Sequence, residues 1–113
     1  MRHETWFKHF PGAITVTDEN AIIIEMNDAA AEAHKEEGGY ALMGQSTIDC
    51  HPKSLQEKVR HIYDSQQLNV YSIQKNGKEK LIYQTPYFKD GIFAGVVEMS
   101  LPMPDNVPHF DRD

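Results

Sequence analysis

Hydrophobic and polar positions change period several times along the chain, and each change marks an element. Trp6, Phe7 and Phe10 form an i, i+1, i+4 cluster within residues 3–10, which predicts a short helix stopped by Pro11-Gly12. Residues 13–17 read as a strand, Asp18-Glu19-Asn20 as a polar turn, and 21–26 as a second, β-branched strand, so the two make a hairpin. Asn27 stands directly before the alanine-rich stretch 28–36, which predicts a helix ended by Gly38-Gly39, with Lys35 suiting the negative end of its dipole. As a cap, the Asn27 amide oxygen is worth about 1 kcal/mol; Asn27→Ala is expected to lose that, and Asn27→Asp to be closer to neutral.

Residues 40–50 hold no sustained period and contain Gly44, which predicts a helical turn and then a loop. Over 53–66, Leu55, Val59, Ile62 and Tyr63 recur at i, i+4, i+7 and i+8, the stripe of an amphipathic helix whose start is set by His51-Pro52 or capped by Ser54. Residues 68–75, 80–88 and 92–101 predict three strands. Asn76-Gly77, the strongest short hairpin signal, joins the first two, and Lys89-Asp90-Gly91 joins the last two. Pro102, Pro104 and Pro108 then predict an extended tail. The order β-β-α-α-α-β-β-β predicts an α+β fold, with one five-stranded antiparallel sheet and helices packed on one face. The expected organisation is a helical extension over 1–12, a domain over 13–101 and a Pro-rich tail over 102–113.

Several local signatures occur in a fixed order: Asp18 in the first turn, Ile22-Ile23-Ile24-Glu25-Met26-Asn27-Asp28-Ala29-Ala30, Leu42-Met43-Gly44, and Lys89-Asp90-Gly91 followed by Gly95-Val96-Val97. Together, from about 10 to 101, they resemble the PAS domain family. Gly38-Gly39, Asp49-Cys50-His51 and Pro108-His109-Phe110 are similar to a bacterial subgroup of short PAS proteins, related to PAS domains found alongside hemerythrin-type modules. The resemblance implies a curved sheet whose inner face and helices enclose a small cavity. In such domains the cavity holds haem, flavin, a small metabolite or only side chains, so the cofactor stays open. It implies a sensor in signal transduction, transcription regulation included, that signals through the outer sheet face and terminal extensions, commonly by changing a dimer.

Composition narrows this picture. The 113 residues fit one domain, and a net charge of −6 without a long Lys/Arg run disfavours direct nucleic-acid binding. Cys50, the single cysteine, excludes a disulfide within the chain and a Cys-rich zinc site. There is no 18-residue apolar stretch, and Met1-Arg2-His3-Glu4 leads into no signal-peptide core, so a cytoplasmic location without membrane contact is expected.

Each candidate for chemistry has a plainer reading. His61 sits on the 53–66 helix, where some PAS domains carry a haem ligand, yet it lies roughly 145° from the apolar stripe and should face water. His34 is an alternative ligand, or simply an imidazole at a helix C-terminus. Cys50 lacks the Asn-Cys-Arg-Phe-Leu-Gln-like context of flavin photosensors. Adjacent Cys50 and His51 project apart, unlike a nucleophile and its base, so Cys50 reads as a packed residue. No catalytic residue and no metal ligand is assigned. A haem-binding gas or redox sensor, and a small Cys-dependent enzyme, are the alternatives.

The last strands keep large apolar groups on both faces. Leu81, Tyr83, Thr85 and Tyr87 alternate with Ile82, Gln84, Pro86 and Phe88, and Phe93, Val97, Met99 and Leu101 with Ala94, Val96, Glu98 and Ser100. One face covers the core; the other is expected to take Trp6, Phe7 and Phe10, from the same chain or a second one. A homodimer is therefore expected, with Trp6, Phe7, Phe10 and Phe88 at its interface, and a signalling protein as a further partner. Ile24, Val59, Ile62, Tyr71, Tyr83 and Val97 are expected to line the cavity, with Tyr71, Ser72, Tyr83 and Gln84 as polar handles of unassigned face. Such a lining suits a small apolar or mildly polar ligand.

Overall fold

The computed structural model describes residues 2–49 and 51–113. Helix α1 (Arg2–His9) precedes the hairpin β1 (Ala13–Asp18) and β2 (Ile23–Met26). Helix α2 (Asp28–Ala33), two 3-10 turns (Lys35–Glu37 and Gly39–Leu42) and α3 (Lys53–Ser65) follow, then β3 (Asn69–Lys75), β4 (Lys78–Lys89) and β5 (Ile92–Pro102). The strands form one antiparallel sheet in the order β2-β1-β5-β4-β3, so the first and last strands of the chain pair at its centre.

Local chemistry explains most boundaries. Asn76 and Gly77 have φ of 55° and 75°, and Asp90 and Gly91 53° and 79°. Two consecutive left-handed residues are what a tight hairpin turn needs, and Asn, Asp and Gly adopt that conformation most readily. The Asp18 carboxylate accepts from the amides of Asn20 (2.9 Å) and Ile22 (3.0 Å), closing the first turn. Strand β2 starts at Ile23, later than the expected 21, because Ala21 takes a φ of 65° and Ile22 bridges only to Ser46. Helix α2 stops at Ala33, short of the expected 36: the chain tightens at His34, whose carbonyl accepts from both Glu37 (3.0 Å) and Gly39 (2.9 Å).

The tight core lies where α2 and the second 3-10 turn meet the β1–β2 hairpin, around Ile23, Met26, Ala30 and Leu42 with Ala13 against them. Asn27 is fully buried there. The other end of the sheet is looser. Helix α3 has no fully buried residue and Leu55 is exposed, while every residue of β3 is exposed. Among the described residues no helix is long and apolar enough to cross a membrane.

Candidate functional site

Strand register decides which side chains face the helices. Met26 pairs with Thr15, Thr15 with Glu98, Glu98 with Gln84 and Gln84 with Asn69, which places one residue from each strand in a single row. Thr17, Val96 and Pro86 make the next row. Above them α3 brings Val59, Ile62 and Tyr63, and the space between is a cavity of about 270 Å3, closed at the core end by Ile23, Met26 and Leu42. His34, Glu37, His51 and Pro52 are its exposed lining residues. A wider groove of about 920 Å3 adjoins it between α3 and β3, and the two share His51, Val59, Ile62, Gln84 and Glu98.

Polar groups in this apolar surround are ordered. Asn69 Nδ2 donates to Gln84 Oε1 and Gln84 Nε2 donates to Glu98 Oε2, each at 2.7 Å. Thr17 Oγ1 donates to the Val96 carbonyl (3.3 Å), so the Tyr63 phenol at 2.5 Å is the donor to Thr17. This bond ties α3 to the sheet. His51 Nδ1 lies 2.5 Å from the Thr47 carbonyl; a carbonyl only accepts, so Nδ1 carries a proton. Partial burial, and then the Glu98 charge, push the Tyr71 phenol above its ordinary value, which keeps it a neutral donor.

Of the expected cavity residues, Val59 and Ile62 line both spaces and Tyr71 lines the groove. Ile24, Tyr83 and Val97 line neither. Ile24 is the extra residue at a bulge where Val16 pairs with Glu25 but Thr17 with Ile23, and it is exposed. Tyr83 and Val97 alternate with the inward residues Gln84, Val96 and Glu98, so they face the opposite side. Ser72, another expected handle, pairs with Leu81 and shares that opposite face. Phe88 belongs to the inward row, where its ring meets Phe93 at 6.1 Å and Phe93 meets Tyr63 at 6.3 Å. The grouping of Phe93 with Val97 fails because a bulge between Tyr87 and Phe88 shifts the register.

Trp6 is 56% exposed, while Phe7, in edge contact with Trp6, and Phe10 are half-buried within the one chain. His61 is exposed beside the groove, as the helical spacing implied, and His34 is exposed with Nδ1 3.8 Å from Glu37. Among the described residues no group of three or more His, Cys, Asp and Glu is placed to hold a metal. Cys50, and with it the Cys50-His51 reading, lies outside the described residues. Asn69, Thr17 and Glu98 are site residues that the sequence reading missed. Counting back from the Asn76-Gly77 turn would have paired Asn69 with Gln84, but no count reaches Thr17 beneath Tyr63.

No protein-family model and no curated protein matches the chain. Solved structures do. A C-terminal domain from Streptococcus mutans superposes with a TM-score of 0.74 at 21% identity, over 88% of this chain and 81% of that one. The Aer2 receptor from Vibrio cholerae, described as a dual PAS-heme oxygen sensor, gives 0.60 at 16% identity, over 82% and 95%. The PAS domain of BvgS from Bordetella pertussis gives 0.65 at 14% identity, over 92% and 85%. With its five antiparallel strands, the helices between β2 and β3, and a cavity beneath them, this chain has the PAS fold.

Proposed function

We propose that the chain is a sensory signalling module that takes a small molecule between its sheet and α3 and passes occupancy on through protein contacts. The observation that carries this reading is the directed Asn69–Gln84–Glu98 row, which runs from the groove into the cavity and faces its apolar wall of Ile23, Met26, Leu42, Val59, Ile62 and Val96. A few placed polar groups in an apolar surround are the usual make-up of a ligand site. The roughly 300 Å3 lower end of ligand pockets matches a cavity of about 270 Å3. That size, with His34 and His61 both exposed, favours a molecule smaller than haem.

Hiding about 200 Å2 of apolar ligand surface contributes ~5 kcal/mol before ordering costs, which suits reversible binding. Helix α3 is the element positioned to respond, since it has no fully buried residue and covers the cavity. The reading gives the chain no catalytic role and places it in a reducing cytoplasm, in keeping with one cysteine. Its output goes to a second copy or a signalling partner at exposed Trp6.

Mass spectrometry of what the denatured protein releases, with thermal shifts against a small-molecule panel, tests the ligand. No released molecule and no shift would leave only a protein-contact role. Sedimentation velocity tests the partner: a monomer at micromolar concentration, unchanged by Trp6→Ala, would remove the homodimer.

A further inference from the structure

We infer that the ligand of this cavity is a small organic cation, an alkylammonium whose charged head is received by Glu98. The inference rests on the ligand-binding reading above and narrows it to one chemical class. Glu98 lies on β5, the middle strand of the sheet, between Thr15 of β1 and Gln84 of β4, and lines both the cavity and the adjoining groove. The Gln84 amide is buried and both its ends are committed. Its oxygen accepts from Asn69, so its nitrogen is turned to Glu98 Oε2. A carboxylate has about four acceptor sites. Among the described residues, Glu98 receives this one side-chain hydrogen bond and no ion pair.

Among the described residues, no fixed positive charge of the cavity neutralises that charge. Among the described residues no lysine or arginine lines the cavity; His34 and His51 are its basic groups, and Glu37 adds a second carboxylate. In the groove, Lys58 is offset by Glu57. A partly desolvated carboxylate without a counter-charge is unfavourable, and a bound cation relieves it. Val59, Ile62 and Val96 offer an apolar wall to the alkyl part of such a ligand. The same arrangement repels carboxylates and phosphates of equal size.

Calorimetry and thermal shift with n-butylammonium, n-butanol and butyrate test the class. The wild type should bind butylammonium at least about tenfold more tightly than butanol, and butyrate more weakly than either. Glu98→Gln, which keeps an acceptor for Gln84, should erase the preference for ammonium while butanol binding stays. Butanol or butyrate binding as well as butylammonium overturns the cation but leaves the cavity reading standing, and so does a preference that survives Glu98→Gln. Absence of binding by all three, with no molecule released on denaturation, overturns both. If Glu98→Gln does not fold, the three probes on the wild type decide alone.

Discussion

The side-chain oxygen of Asn27 lies 2.9 Å from the backbone nitrogen of Ile14, so the residue that caps α2 also clasps β1. The same oxygen accepts from Ala30 (3.0 Å), and Nδ2 donates to the Gly12 carbonyl (2.8 Å). Asn27 is fully buried, and water cannot replace these partners. Asn27→Ala should therefore cost about 2–4 kcal/mol, more than a cap alone. Asn27→Asp is not close to neutral, because it loses the donor and sets an oxygen against the Gly12 carbonyl. Urea midpoints measure both, and a loss below about 1 kcal/mol for alanine would contradict the clasp.

Gly95 has a φ of 150°, and a Cβ there would sit 1.9 Å from the Thr17 carbonyl oxygen. That oxygen also accepts from the Tyr87 phenol at 3.1 Å. Gly95→Ala must push β1 away from β5 at the centre of the sheet and should cost about 3 kcal/mol or more. Tyr87→Phe, which removes one hydrogen bond, should cost about 1 kcal/mol. Thermal unfolding of the pair should rank them in that order.

Tyr63→Phe should loosen α3 without loosening the sheet, since the phenol at 2.5 Å from Thr17 Oγ1 is that helix's hydrogen bond to β1. The expected loss is about 1 kcal/mol. Hydrogen exchange should speed up in 53–65, with the amides of β1 and β5 unchanged. Uniform acceleration across the chain would contradict a local tie.

Asp28 pairs with Lys8 at 2.8 Å and accepts from the Tyr40 hydroxyl, joining α1 to α2. The Lys8 hydrogen bond first, and then that of Tyr40, hold the Asp28 carboxyl below its ordinary value. A depressed folded value means the contribution is whole above the unfolded value of about 3.9 and is lost as pH falls through the lower folded one. Trp6 fluorescence should report α1 release in that acid range. Asp28→Asn should show it already at neutral pH, and identical acid profiles for the two proteins would contradict the link.

Elements that depend on neighbours in the chain were readable from the amino acids alone. Asn76-Gly77 and Asp90-Gly91 supply left-handed turns, Asn27 precedes a run of alanines, and Val59, Ile62 and Tyr63 recur at helical spacing toward the cavity. Together they also determined the α+β order and placed Val59 and Ile62 against the cavity. Register was decided elsewhere. From the Asp90-Gly91 turn, Lys89 pairs with Ile92 and Phe88 with Phe93, a count that would set Gln84 opposite Val97. The bulge at Tyr87/Phe88 advances β5 by one residue, and Gln84 meets Glu98 instead. A one-residue slip exchanges the faces of a strand, and here it put a carboxylate in the cavity and Val97 outside it. That bulge forms where Gly95 passes the Thr17 carbonyl of β1, a pairing between the two ends of the chain that no local pattern contains.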